Sequence, residues 1–455
     1  MSEKYDIVVI GAGPGGIAAA VKAARSGANV ALIEKDTIGG VCLNWGCIPT
    51  KALLYSASLF AKMKHAEDFG IKCEKVSFSF KKIADRKNHV VENLKKGLLV
   101  QVKNNKISLL KGNAQFIDKT TVRIGDTIIS ADKIIIASGS SPVALPNIPF
   151  DGKQIVSSKD ALTWTMLPES LAIIGGGVIG CEFAYLFSAL GVNVTVIEAA
   201  QNLLPREDKE IGKRLNLFFK KAGIACYSGT KVLNMAKDNK QVALTLDNGQ
   251  QITSEKVLIA VGRSANIHNL NLDVLNLEIN NGFINTNEFL ETNIKGIYAI
   301  GDCINTQQLA HAAHHEGIAA ALNAVKGNVK KIKNHCMPSC IFTVPEIASV
   351  GLTIDEALEK NIAAETSKVL YGINGKAHCA AQTDGFVKLV FEKTTQQILG
   401  AQIMGAGASD LIAEVALAVQ NKLSLSEIAE TIHAHPTHAE LISEAATEGV
   451  FKMNG

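Results

Sequence analysis

The sequence predicts an α/β chain in which two doubly wound, parallel-sheet domains precede a C-terminal α+β domain. Three observations carry this. A strand–glycine turn–helix–strand unit occurs twice, at residues 7–34 and 171–198. Short apolar runs of the kind buried on both faces of a parallel sheet recur at 134–137, 257–261 and 297–300. Beyond residue 335 the pattern changes to alternating segments such as 386–391 and helices such as 409–420. A length of 455 residues allows about three domains and a core that needs no disulfide staples.

In the first unit, residues 7–10 read as a buried strand and Gly11-Ala12-Gly13-Pro14-Gly15-Gly16 as a turn. A helix is expected over 17–25, and a second strand over 31–33 ends at Glu34. In the second unit the strand is 171–174, the turn Gly175-Gly176-Gly177-Val178-Ile179-Gly180, the helix 181–190, and the second strand 194–197 ends at Glu198. Both units are Rossmann-like. Gly11 and Gly175 permit the tight turn, Gly13 and Gly177 let a pyrophosphate approach the backbone, and Gly16 and Gly180 let helix and strand pack closely. The helix N-terminus offers unpaired N–H groups to phosphate. The acids Glu34 and Glu198 can accept from ribose hydroxyls. Two dinucleotide sites are therefore expected. Glu198 has no basic residue among Ala199 to Asn202, which favours NAD over its phosphorylated form. Between the units, residues 113–130 alternate like antiparallel strands, the buried strand 134–137 ends at Ser138-Gly139-Ser140, and Pro142, Pro146 and Pro149 mark a linker.

A net charge of +3 argues against nucleic acid or an anionic membrane surface as a partner. No apolar run reaches the roughly 18 residues of a membrane span. Nine cysteines, an odd number spread over the chain, suit a reducing compartment, and the cytoplasm is expected. The apolar stretch 7–21 could pass for a signal peptide, but its Pro14-Gly15-Gly16 cluster fits a strand and turn better.

Two of the cysteines stand in Cys42-Leu43-Asn44-Trp45-Gly46-Cys47-Ile48-Pro49-Thr50-Lys51. In a regular helix their spacing would rise about 7.5 Å, beyond disulfide reach, so the segment must turn, and Gly46 helps it do so. Pro49 suits a helix's first turn, which puts Cys47 near an N-terminus that favours a thiolate. A redox disulfide, two unrelated buried thiols and half of a metal site all remain compatible with the spacing.

The run 39–51 resembles the active-site signature of the class I pyridine nucleotide–disulfide oxidoreductases. Thr292-Asn293-Ile294-Lys295-Gly296-Ile297-Tyr298-Ala299-Ile300-Gly301-Asp302 resembles that family's second FAD motif, and His433-Ala434-His435-Pro436-Thr437-His438-Ala439-Glu440 its C-terminal catalytic motif. The resemblance covers the whole chain and is strongest to members that oxidise dihydrolipoamide. It implies FAD and NAD as cofactors and a homodimer. It also implies a partner: a lipoyl domain of a 2-oxo acid dehydrogenase acyltransferase, or a glycine cleavage carrier protein. Four segments follow: 1–145 for FAD, 146–268 for NAD, 269–335 for the second part of the FAD domain, and 336–455 for the interface.

By resemblance, Cys42 is the interchange thiol, Cys47 the charge-transfer thiol, Lys51 the lysine near the flavin and Glu182 its ion-pair partner. His435 resembles the base and Glu440 the carboxylate that orients it. Glu34, Ala114, Ser138, Gly139, Ser140, Asp302, Gln308, Leu309, Ala310 and His311 resemble FAD contacts, with Val232 and Gly262 on NAD. Departures are small: Val41 and Ser138 stand where threonine is usual, Ala265 where proline is, and His438 inside the last motif. Another flavin disulfide reductase, acting on glutathione or mercuric ion, is the alternative. The missing basic residues after Glu198 speak against the first, and a tail without cysteines against the second. Cys73, Cys181, Cys226, Cys303 and Cys379 read as small apolar residues, Cys336 and Cys340 as core or interface thiols. His311, His314 and His315 share a helix, and no metal site is expected of them.

Overall fold

β1 (Glu3–Ile10) ends in four fully buried residues, Ile7 to Ile10, because strands flank it on both edges. It pairs in parallel with β2 (Val30–Glu34) and with β6 (Thr127–Ile136). β3 (Ser108–Lys111) extends the sheet beyond β2, and strand Ile297–Ala299 pairs in parallel with the end of β6. Side chains such as Val8, Leu32 and Ile135 have no exposed surface, each contributing about 1.5–3 kcal/mol by burial. The computed structural model describes residues 3–146, 148–332 and 336–454. The expected domain boundary at His335 lies outside them. The chain divides into two units. The first is Met1–Tyr55, Phe78–Leu167 and Ile259–Lys333; the second is Ser56–Ser77, Pro168–Leu258 and Asn334–Gly455.

In the first unit, α1 (Pro14–Arg25) starts three residues before the expected position. Pro14 has no N–H to lose in a first turn, and Gly16 falls inside the helix rather than before it. Helix Ala310–Lys326 packs along α1, and two glycines set the approach. A Cβ on Gly15 would lie 2.8 Å from the Ala313 carbonyl oxygen, and one on Gly317 2.2 Å from that of Gly15. β4 (Ala114–Phe116), β5 (Thr121–Ile124) and the start of β6 form an antiparallel meander. β6 is one ten-residue strand rather than the two segments expected from the sequence. The polar pair Asp132-Lys133 breaks the apolar run without ending the strand, and Asp132 meets Lys4 at 3.0 Å on the exposed side.

In the second unit, β7 (Ser170–Ile174), α5 (Val178–Ala189) and β8 (Asn193–Glu198) repeat the opening of the first. α5 also starts earlier than expected. β9 (Ala225–Ser228) adds to the edge of β8, and a separate antiparallel meander spans Val232–Lys237, Val242–Leu246 and Gln251–Ser254. The C-terminal part is a five-stranded antiparallel sheet. Its order is Ser339–Ile341, Ile347–Gly351, Ile398–Met404, Phe386–Glu392, Ala364–Leu370, and helices Ala408–Asn421 and Glu440–Asn454 pack on it. Strand Phe386–Glu392 was expected to alternate between core and solvent, yet only Glu392 escapes burial. Lys388, the one polar residue of 386–391, is buried with its Nζ 2.8 Å from Asp208. Asp208 is the N-cap of α6 (Lys209–Lys221). Among the described residues no helix is long and apolar enough to cross a membrane.

Candidate functional site: two glycine turns, a thiol pair and a histidine–carboxylate pair

In the first turn Gly11 has φ +105°, and a Cβ there would sit 2.3 Å from the Ala137 carbonyl oxygen. A Cβ on Gly16 would come within 1.8 Å of the Gly11 oxygen. Both positions exclude any other residue. Gly13 differs: its φ of −75° suits any amino acid, and nothing lies within 4 Å of where its Cβ would be. Neither strain nor packing accounts for this glycine, so its bare face fits a ligand lying on the backbone at the start of α1. The second turn repeats each feature. Gly175 has φ +109°, a Cβ on Gly180 would meet the Gly175 oxygen at 1.9 Å, and Gly177 at φ −76° has open space.

The acids match as well. Glu34 accepts from the amides of Ala12 and Asp36, both at 2.8 Å. Glu198 accepts from those of Gly176 at 2.6 Å and Ala200 at 2.7 Å. Each carboxylate is held at a strand tip beside its turn, as a ribose acceptor must be. The donor set in both places fits a dinucleotide.

The thiols lie beside the first turn. α2 (Gly40–Trp45) ends at Gly46, and α3 (Cys47–Lys64) begins immediately after. This break is the distortion that the spacing demanded. Gly46 takes φ −143°, ψ −112°, and its carbonyl accepts from the Thr50 amide at 3.1 Å and hydroxyl at 2.7 Å. The Cys42 and Cys47 side chains are thereby brought into hydrogen-bond contact. Cys47's proximity and burial hold the Cys42 thiol well above its ordinary range, while the Lys51 ammonium pulls the other way. Cys47 is the first residue of α3, where helix N–H groups favour negative charge. A Cβ on Gly40 would fall 2.7 Å from the Gly13 Cα, so α2 rests directly on the glycine turn. Other thiols are set apart by environment. Burial pushes Cys226 up to about 12 and Cys303 up to about 11, so both stay protonated at neutral pH. Cys379, expected to be a small apolar residue, is exposed.

Around Asp302 the structure adds a residue that sequence reasoning missed. Strand Arg263–Ala265 pairs antiparallel with Ser140–Pro142. Arg263 donates to the Ser140 hydroxyl and carbonyl, both at 2.7 Å, and lies 3.9 Å from Asp302. Ser140 in turn donates to Asp302. Burial lowers the Arg263 pKa, and the charges of Asp302 and Cys47 oppose that shift. Its sequence signal was its place at the end of a buried parallel strand, directly after Gly262. The Ser138 and Gly139 carbonyls accept from Asn266, Gly139 has φ +70°, and Ala114 is buried in the meander. Leu309 caps helix Ala310–Lys326, and His311 is exposed on its first turn. The Gln308 Nε2 is buried with no protein partner among the described residues, as an amide reserved for a cofactor would be. Glu316, also missed, is wholly buried, accepts from the Gly301 amide at 2.7 Å, and is raised in pKa by burial.

All of these residues belong to the first unit, as does Gly262, which was expected to serve NAD. The second unit holds the other turn, Glu182, Val232, His435 and Glu440. Glu182 is buried on α5 and accepts from the Phe342 amide at 3.0 Å. Val232 opens the separate meander. His435 Nδ1 lies 2.8 Å from Glu440 Oε1, and the Thr437 amide donates to the other carboxylate oxygen at 2.8 Å. Those two bonds, the amide's first, hold Glu440 below its ordinary pKa. A carboxylate can only accept, so the proton sits at Nδ1 and a neutral His435 keeps a basic lone pair at Nε2. The ring is 78% exposed. Among the described residues no group of three or more His, Cys, Asp and Glu is arranged to hold a metal.

Fold and site together define a two-nucleotide oxidoreductase with a thiol pair. Residues 5–317 match the family described as pyridine nucleotide-disulphide oxidoreductase, and residues 337–446 match its dimerisation domain. The chain belongs to that family. Its full-length relatives include the dihydrolipoyl dehydrogenase of Chlamydia pneumoniae, 43% identical over 98% of this chain and 97% of the relative. One from Bacillus subtilis is 39% identical over 98% of each. LpdA of Mycobacterium tuberculosis is a similar solved structure, with a TM-score of 0.91 and 28% identity over 98% of this chain and 99% of the other. The flavoprotein disulfide reductase RclA of Escherichia coli has a TM-score of 0.87 and 27% identity over 97% and 99%.

Proposed function

We propose that this chain is a dihydrolipoyl dehydrogenase, oxidising a protein-bound dihydrolipoyl group with FAD and NAD as its cofactors. One observation carries the reading: Cys42 and Cys47 are in contact at the break between α2 and α3, on the glycine turn that suits FAD. When bound, FAD would supply the two-electron relay between the thiol pair and NAD⁺. The first turn with Glu34, Ala114, Ser138 to Ser140, Asp302 and Gln308 to His311 holds FAD. The second turn with Glu198 and Val232 would hold NAD, and Gly262 is assigned to NAD by family resemblance alone. Segments 1–145 and 269–335 thus serve FAD, 146–268 serves NAD and 336–455 serves subunit contact.

His435 Nε2 takes a proton from one substrate thiol, and Glu440 steadies the imidazolium that results. The thiolate attacks the Cys42 sulfur of a Cys42–Cys47 disulfide and displaces Cys47 as thiolate. The second substrate thiol then attacks the mixed disulfide, closing the lipoyl ring and releasing Cys42, whose departing thiolate takes the second proton. Two electrons leave the substrate and reduce the enzyme disulfide. Lys51, one helical turn beyond Cys47, stabilises the negative charge left there, with Glu182 assigned as its counter-ion by family resemblance. The chain works as a homodimer, each thiol pair served by the partner subunit's His435; the exposure of that ring supports this. The substrate arm belongs to a lipoyl domain of a 2-oxo acid dehydrogenase or glycine cleavage complex, and the number and spread of the cysteines favour the cytoplasm.

The test is Cys47→Ser in the purified holoenzyme. FAD should be retained and dihydrolipoamide-dependent NADH formation should fall by at least about a thousandfold, with the wild type preferring NADH to NADPH and lipoamide to glutathione. Near-normal turnover in the variant would end the scheme.

A further inference from the structure

Three histidines lie within six residues, and the structure gives each different surroundings. His435 engages a carboxylate through Nδ1. His438 packs against the Tyr371 ring, 5.6 Å between centroids, and burial lowers its pKa. His433 is fixed at both ring nitrogens: Nδ1 is 2.8 Å from the Thr431 carbonyl and Nε2 is 2.8 Å from Glu414 Oε1. Its side chain is only 8% exposed.

Hydrogen-bond chemistry separates His433 from His435. A backbone carbonyl can only accept, so His433 Nδ1 carries a proton. The Nε2 lone pair and the Glu414 carboxylate are both acceptors, so a proton must also lie between them at 2.8 Å. Both nitrogens are therefore engaged, and the ring has no lone pair to offer a substrate thiol. Glu414 stands on helix Ala408–Asn421, which packs on the antiparallel sheet. The ring thus ties the loop to a rigid element on the N-terminal side of the base. On the C-terminal side, Asn374 donates to the Thr437 carbonyl at 2.9 Å and Tyr371 backs His438. His435 stands between these anchors, two residues from His433.

We propose that His433 and Glu414 are positioning residues: their bond sets where His435 Nε2 points, and His433 takes no part in the proton transfer itself. This rests on His435 being the base for dihydrolipoamide. Displacing a base by about 1 Å can cost up to about a hundredfold in rate.

The experiment compares full-length, FAD-loaded His433→Phe and Glu414→Gln with the wild type in two assays. One is dihydrolipoamide-dependent NADH formation, which needs the base. The other is NADH-driven reduction of ferricyanide, which does not. For His433→Phe, kcat with dihydrolipoamide should fall about tenfold to a hundredfold at unchanged KM, while ferricyanide reduction stays within about twofold and FAD content is normal. Glu414→Gln keeps an acceptor oxygen for the ring and should fall less, by about threefold to tenfold. An unchanged kcat with dihydrolipoamide, or an equal fall in both assays, would overturn the positioning role. A wild type active with ferricyanide but inert to dihydrolipoamide would instead overturn the reading of the reaction.

Discussion

The two glycine turns are nearly superimposable in local chemistry and differ in what covers them. In both, the first glycine is left-handed, the third touches the first, and the acid at the strand tip accepts from two backbone amides. Over the first lies helix Ala310–Lys326, interlocked with α1 through Gly15 and Gly317. At the position matching Gly15 the second turn carries Ile179, and at the position matching Pro14 it carries Val178, which is 38% exposed. We propose that the two turns serve different purposes. Roofed, it suits a cofactor that stays; open, it suits one that arrives and leaves in every cycle.

The strongest way to break this comparison is a side chain on the bare second glycine. Gly13 and Gly177 have room for one without strain or clash. Gly13→Val should fold yet purify with less than about a tenth of the normal flavin, while Gly177→Val should stay yellow and raise the KM for NADH by more than about tenfold. Flavin absorbance per chain and NADH kinetics check both. Equal flavin content in the two variants would erase the distinction.

Exchanging the acids is a gentler probe. Glu34→Gln or Glu198→Gln sets a side-chain NH₂ against backbone donors, a mismatch costing about 1–3 kcal/mol, or about fivefold to 150-fold in affinity. The loss should fall on FAD retention in the first case and on NADH binding in the second, with NADPH discrimination narrowed only by Glu198→Gln. Fluorescence titration of each nucleotide separates these.

The smallest effect belongs to the roof itself. Burial raises the Glu316 pKa above its ordinary 4.5. A raised carboxyl favours the protonated folded state, so its contribution to stability is full below the ordinary value and is lost as pH rises through the raised one. Glu316→Gln removes that titration. Its melting temperature should decline less than the wild type's as pH climbs from 4.5, and FAD should stay bound. An unchanged pH slope would count against a buried, titrating Glu316.

What the sequence revealed and what it hid follow from range. The glycine turns, both acids and the thiol pair are local patterns whose reason lies within about 25 residues, and each was found. Arg263 was missed because its partner Ser140 is 123 residues away. The burial of strand Phe386–Glu392 was misjudged for the same reason: Asp208, which pairs with the buried Lys388, is 180 residues distant from it. The helix starts were placed late because the third glycine was taken as the end of the turn, when its missing Cβ lets the first helical turn sit on the strand.

The central claim is that electrons from NADH reach Cys42 and Cys47 and no other thiols. Alkylation of the native holoenzyme with iodoacetamide, with and without anaerobic NADH, followed by peptide mass mapping, tests it most directly. The account expects two NADH-dependent labels, both on the peptide that carries Cys42 and Cys47. The absence of NADH-dependent labels on that peptide, or NADH-dependent labels on other cysteines instead, would contradict it; exposed Cys379 is labelled in both conditions.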